Sequence, residues 1–265
     1  MAFLFDLKGA KEGELQVPSQ FLQPVRPDLI RRAVHAQASL RFQPKGNFVL
    51  AGTLTSADYF GRRHEPRQTI NTGRSRLPRE KLPGGRLGNV RIVPHSKGGR
   101  RAHPPKTHKI IVERINFKEK NKAICSAISA TGDGELVSGR GHAHKLILPF
   151  IVDSKFEEIT RASDARKALE TLGFAGDLER AASGRRMRSG RAKLRKGGYR
   201  TPKSVLIVYA QDKGIWKATR NIPGVDAVRV DKLDAESLAP GGVPGRLTIW
   251  TKSAIDKLAA DKLYL

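Results

Sequence analysis

Between Arg62 and Lys109 the chain reads RRHEPRQTINTGRSRLPREKLPGGRLGNVRIVPHSKGGRRAHPPKTHK, with 14 Lys or Arg against two acids, Glu65 and Glu80. This stretch is rich in Gly and Pro, holds no aromatic residue and has few large apolar side chains. Such a segment cannot bury enough apolar surface to offset the entropy of ordering it. It is also internal, with patterned sequence on both sides, so it is not a tail. An irregular run of this length inside a domain marks function or disorder. These constraints predict an arm that takes its shape from a polyanion.

The whole chain of 265 residues carries +25. The arm supplies +12, and Ser183 to Lys203 supplies +9 with no acid, leaving +4 for the other 196 residues. The body is therefore an ordinary domain, and the two basic segments are the footprint of a partner. Neither segment has the amphipathic pattern of a membrane-surface helix, which favours nucleic acid. No window approaches the ~20 apolar residues of a membrane span, and MAFLFDLKGA lacks the pattern of a secretory signal, so a cytoplasmic protein is expected. The single cysteine, Cys125, rules out an intrachain disulfide or a cysteine-based zinc site. It reads as a small buried residue on a helix.

Periodicity predicts an α/β fold, a three-layer domain around a small, mostly parallel sheet with a long extended internal loop. Ala2 to Leu7 suggests a first strand paired with Leu15 to Val17. Pro27–Asp28 opens a helix with Leu29, Ala33, Ala36 and Leu40 at helical spacing and Ile30 and Val34 beside them. After the arm, Asn116 and Glu119 resemble a capping box for a helix buried through Ala123, Ile124, Ala127 and Ile128 and closed by Gly132. The two helices flanking the arm should be neighbours. Ile147 to Val152 is strand-like, with Pro149 near its start. Ser163 reads as the N-cap of a helix that stops at Gly173, and Asp177 to Ala182 as a short helix. Val205 to Tyr209 is a continuous apolar run, the mark of a strand covered on both faces. Val225 to Val230 and Leu247 to Trp250 follow as strands, and Ile255, Leu258 and Ala259 as a last helix. We assign residues 1–265 to one domain, 46–110 to the inserted basic loop and 183–203 to a second basic segment.

The candidate binding residues in the arm are Arg62, Arg63, Arg67, Arg74, Arg76, Arg79, Lys81, Arg86, Arg91, Lys97, Arg100, Arg101 and Lys106. Those in the second segment are Arg185, Arg186, Arg188, Arg191, Lys193, Arg195, Lys196, Arg200 and Lys203. Guanidinium binds phosphate bidentately and stacks on bases, and Arg-rich segments that order on binding are an RNA theme. Signals for catalysis are poor. Gly84 to Gly88 and Ser138 to His144 fit neither phosphate-loop nor dinucleotide patterns. His142 and His144 lack the further ligands a zinc ion needs, and no acid/base carboxylate pair stands out. No cofactor or metal is expected. The rival classes are an RNA-modifying enzyme and an RNA chaperone acting outside any particle.

Long motifs carry a resemblance: PVRPDLIRRAV at Pro24 to Val34, GRRAHPPK at Gly99 to Lys106 and RGH at Arg140 to His142. They continue with YRTPKSVLIV at Tyr199 to Val208, TRN at Thr219 to Asn221 and LAPGGVPGRLTIWTKSAI at Leu238 to Ile255. Nearly end to end the chain resembles the universal L-four family of large-subunit ribosomal proteins in its archaeal form. The resemblance implies a non-enzymatic protein that binds large-subunit rRNA, acts early in subunit assembly and adjoins neighbouring ribosomal proteins. It further implies that the loop reaches the wall of the exit tunnel near the nascent polypeptide. The tip would fall between Arg67 and Lys81, with Arg67, Asn71, Gly73, Arg74 and Arg76 as candidates.

Overall fold

The apolar run Val205 to Tyr209 is buried along its whole length, and the sheet is built outward from it. The structure, a computed structural model, describes residues 2–194 and 197–265. In chain order it has β1 (Ala2–Phe5), β2 (Lys11–Leu15), α1 (Pro27–Ser39), β3 (Arg79–Lys81), β4 (Leu87–Val90), α2 (Phe117–Thr131) and α3 (Gly134–Gly139). Next come β5 (Phe150–Val152), α4 (Ala162–Leu169), α5 (Ala175–Ser183), β6 (Arg186–Met187), β7 (Tyr199–Arg200) and β8 (Leu206–Tyr209). Last are α6 (Ile215–Thr219), β9 (Asp226–Arg229), α7 (Ala235–Leu238), β10 (Thr248–Thr251) and α8 (Lys252–Ala260). The chain divides into two units, residues 1–41 with 112–265, and Phe42–Ile111.

The first unit holds a six-stranded sheet of order β2-β1-β5-β10-β8-β9. Only the β1–β2 pair is antiparallel; the other neighbours run parallel. Successive side chains of a strand point to opposite faces, and the core divides accordingly. Ile151, Leu206, Val208 and Trp250 face α1, α2, α7 and α8. Phe150, Val152, Ile207 and Ile249 face α4, α5 and α6. Helices on both faces explain why the central strands are apolar throughout. This is the expected three-layer α/β arrangement.

Helix α1 opens with Pro27 at its first turn and buries Ile30, Ala33, Val34 and Ala36. Leu40, predicted on the inward face, is 68% exposed because the helix has ended at Ser39. In α2 the predicted face is buried, but Asn116 occupies the N-cap position without a side-chain cap bond. Glu119 instead reaches Arg32 on α1 at 2.8 Å. The expected Ser163 cap is displaced in the same way: Arg161 precedes the helix, and Ser163 donates to Asp164. Gly173 breaks the helical path as expected, at φ +90°. The two ends of this unit that flank the inserted residues lie together, since the Glu113 amide donates to Ser39 Oγ at 2.9 Å. Cys125 is buried on α2, and burial pushes its thiol up to about 11.

Ile207→Ala should destabilise the protein by ~2–5 kcal/mol through loss of transfer energy and cavity formation. Leu40→Ala should stay within ~0.5 kcal/mol, as an exposed site does. Urea unfolding of both variants checks the pair.

Candidate nucleic-acid interface

Residues 42–111 bury only Ala57 and Thr69. In a unit with so little apolar burial the contacts between its segments are mainly polar. Strands β3 and β4 pair with Arg79 opposite Val90 and Lys81 opposite Leu87, and the Leu82 amide closes their turn onto the Arg86 carbonyl at 3.0 Å. Asp58 and Arg79 exchange backbone hydrogen bonds at 3.1 and 3.2 Å. Outgoing and returning backbones touch at Gly52, where an added Cβ would lie 2.1 Å from Arg100 Cα. The run read from sequence as irregular therefore contains a hairpin, which glycine and proline composition hid.

Ten of the predicted arm cations are exposed: Arg62, Arg63, Arg74, Arg76, Lys81, Arg86, Lys97, Arg100, Arg101 and Lys106. Arg67, Arg79 and Arg91 are half-buried and turned to protein partners. Arg67 donates to the Leu82 carbonyl at 3.3 Å, and Arg79 to Ser75 Oγ at 2.8 Å. Arg91 pairs with Glu80 at 2.7 Å and donates to the Lys97 carbonyl at 2.6 Å. Arg67 and Arg79 thus fasten the 67–76 stretch to the hairpin. Within that stretch Asn71, Gly73, Arg74 and Arg76 are exposed. Left-handed backbone occurs at Arg67 (φ +68°), Asn71 (φ +57°), Gly73 (φ +71°) and Ile92 (φ +69°). For a β-branched residue such as Ile92 that conformation is costly and persists only where its surroundings impose it.

The second basic segment belongs to the first unit. Arg186 and Met187 pair antiparallel with Arg200 and Tyr199, a small ladder that composition did not announce. Arg185 stacks over one face of the Tyr199 ring at 4.7 Å. Arg185, Arg186, Arg188, Arg191, Lys193, Arg200 and Lys203 are exposed; Arg195 and Lys196 lie outside the described residues.

Asp177 on α5 roots this segment. Fully buried, it accepts from His142 Nδ1 at 3.1 Å, the Ala143 amide at 3.2 Å, Arg180 Nε at 2.8 Å and Ser204 Oγ at 2.5 Å. Burial alone would raise its pKa, but hydrogen bonds from His142, Arg180 and Ser204 outweigh it and hold the carboxyl well below the usual range. Arg180 also donates to the Lys203 carbonyl at 2.8 Å. Arg246, almost wholly buried, binds Asp226 at 2.6 Å and the carbonyl of Ser204 at 2.9 Å. Arg140 donates to the carbonyls of Pro240 and Val243, and burial, with Arg246 and Arg180 nearby, brings it down to about 10. His142 is thus a structural partner of a carboxylate. Apart from His142, these residues escaped sequence reasoning, because most of the partners lie 20 or more positions apart and leave no local pattern.

At the C-terminal ends of the central strands, where open α/β sheets hold their ligands, a buried carboxylate fills the space. Glu157 accepts from the Ala210 amide at 2.9 Å, the Gln211 amide at 3.3 Å and Thr251 Oγ1 at 2.7 Å, and from Ser253 Oγ. Those donors are thereby engaged by the protein itself.

The sequence matches the family described as "Ribosomal protein L4/L1 family" over residues 15–261. It is 45% identical over 258 residues to "Large ribosomal subunit protein uL4" of Pyrobaculum aerophilum, covering 96% of this chain and 88% of that one. Proteins of the same name from Methanocaldococcus jannaschii and Methanoculleus marisnigri are 44% and 46% identical. The alignments cover 97% of both chains for the former, and 95% of this chain and 96% of the relative for the latter.

The native state favours ionised Asp177, so the resulting stabilisation is complete above the unfolded carboxylate pKa of about 4. It is lost as pH falls from there through the lowered native value. Asp177→Asn should cost ~3–5 kcal/mol at pH 7, as breaking a buried charge network does, and should make stability less dependent on pH below about 4. Urea unfolding across pH measures both.

Proposed function

We propose that this chain, which belongs to the ribosomal protein L4/L1 family, binds large-subunit rRNA through its two basic segments. The family is a structural one of the large ribosomal subunit, and it is not enzymatic. The observation that carries the reading is the second unit's combination of twelve exposed Lys or Arg with two buried residues. Residues 46–110 act as an inserted loop whose conformation is held by RNA, and 183–203 as a second contact on the α/β body. Exposed guanidiniums bind phosphate oxygens in pairs, neutralising the repulsion where several RNA helices meet and supporting early subunit assembly.

The stretch between Arg67 and Lys81, with Arg67, Asn71, Gly73, Arg74 and Arg76 as tip candidates, is the part we assign to the wall of the nascent-peptide tunnel. Within it the half-buried Arg67 and Arg79 tie residues 67–76 to the hairpin. Its partners are then rRNA, neighbouring large-subunit proteins and the passing nascent polypeptide, in the cytoplasm.

Two measurements test this. Binding to large-subunit rRNA should weaken steeply with salt, log K falling against log salt with a slope steeper than about −5, because many cations displace counterions. A nearly flat slope would sink the electrostatic mechanism. In amide exchange, residues 62–109 should be unprotected in the free protein and protected on rRNA. Protection of that stretch in the free protein would mean that its hairpin is stable alone.

A further inference from the structure

The body carries a cavity that shares only Lys203 with the basic segments. It has a volume of about 420 Å³ and lies beside β9, with Trp216, Arg220, Lys203, Ala227 and Arg246 among its lining. That is within the range of small-ligand pockets. Three features of its wall point the same way.

Trp216 is 42% exposed, although an indole of this size normally packs inside. The Arg220 guanidinium lies over its ring at 5.3 Å. The other cations of the wall are committed: Lys203 to Asp226 at 2.7 Å, Arg246 to Asp226 at 2.6 Å, and Arg41 to Glu236. Among the described residues Arg220 has no carboxylate partner. Finally, β9 is an edge strand. The Asp226 amide donates inward to the Val205 carbonyl at 3.2 Å, so strand alternation turns the N–H and C=O of Ala227 to the open side.

We propose that this cavity receives one unpaired nucleotide of single-stranded RNA, its base stacked on Trp216, its base edge hydrogen-bonded to the Ala227 backbone and its phosphate held by Arg220. Stacking on an aromatic platform combined with a cationic clamp is how single strands are bound without dependence on sequence. Lys203 belongs both to the cavity wall and to the second basic segment, so the cavity adjoins that segment. The inference rests on the RNA-binding reading and adds a third contact to it, on the α/β body.

The chain has two tryptophans, and Trp250 is fully buried, so a ligand-induced change in emission reports Trp216. The full-length protein is titrated with a short single-stranded oligoadenylate, and separately with AMP and with large-subunit rRNA. Saturable quenching by oligoadenylate is expected. In anisotropy of a dye-labelled oligoadenylate, which does not depend on the indole, Trp216→Ala and Arg220→Ala should each weaken binding about 5- to 100-fold, the size of losing one stacked base. An unchanged melting temperature shows that the variants are folded. Oligoadenylate binding without any change in emission, or variants that bind within about twofold of the parent, would overturn the proposal. So would AMP saturating the site at concentrations no higher than the oligonucleotide needs, which would make it a free-nucleotide pocket. If rRNA binds with a steep salt slope while oligoadenylate does not bind, the cavity proposal fails alone. If rRNA itself fails to bind, the broader reading fails with it.

Discussion

Asp177 is a carboxylate with no exposed surface in a chain of net charge +25, and the body depends on the contacts it collects. Burying an ion is costly unless several hydrogen bonds and an opposite charge replace its water. His142, Ala143, Arg180 and Ser204 supply them, and they come from three places in the chain. The 140–143 turn, helix α5 and the entry to β8 are joined by one carboxyl group. Through Arg180 and the Lys203 carbonyl the same group fixes the end of the second basic segment. A strongly basic surface segment is thereby held by an acid inside the protein, where it does not compete with an anionic partner outside.

The second unit works under the opposite constraint. With only Ala57 and Thr69 buried, hydrophobic burial contributes little, and ordering each residue still costs about 1–2 kcal/mol in backbone entropy. The hairpin, the Asp58 bridge and the Arg91–Glu80 pair offset part of that cost. Exposed ion pairs contribute little each. Left-handed backbone at Arg67 and Ile92 adds to what must be offset.

Much of this was legible in the sequence, because some constraints are local. The apolar run of β8 marks a strand covered on both faces, and Ile30, Ala33 and Val34 mark the inner stripe of α1. The charge excess of the arm is visible by counting. What stayed hidden depends on contacts between distant positions. The capping-box pattern at Asn116 and Glu119 was present, but Glu119 is drawn to Arg32. The short helices α3, α6 and α7 span too few residues for a period to show. The hairpin in the arm lacks alternating apolar residues, since its stability comes from main-chain pairing and from Arg79 and Arg91. Composition alone treats every arm arginine as equivalent. The fold separates Arg67, Arg79 and Arg91, which brace the unit, from those whose charge stays open.

That separation bears on how the arm gains its order. Buried Arg246 and the half-buried bracing arginines have carboxylates or carbonyls as partners. Most of the exposed arm cations have none, and like charges confined together repel through solvent over a Debye length of about 8 Å at physiological salt. In the free chain this repulsion opposes the compact arrangement that the hairpin and the Gly52 contact favour. A polyanion removes the repulsion and supplies hydrogen-bond acceptors at once. For a segment with so little core of its own, neutralisation and ordering are therefore the same event, and the density of arginine that weakens the arm alone is what makes it stable when bound.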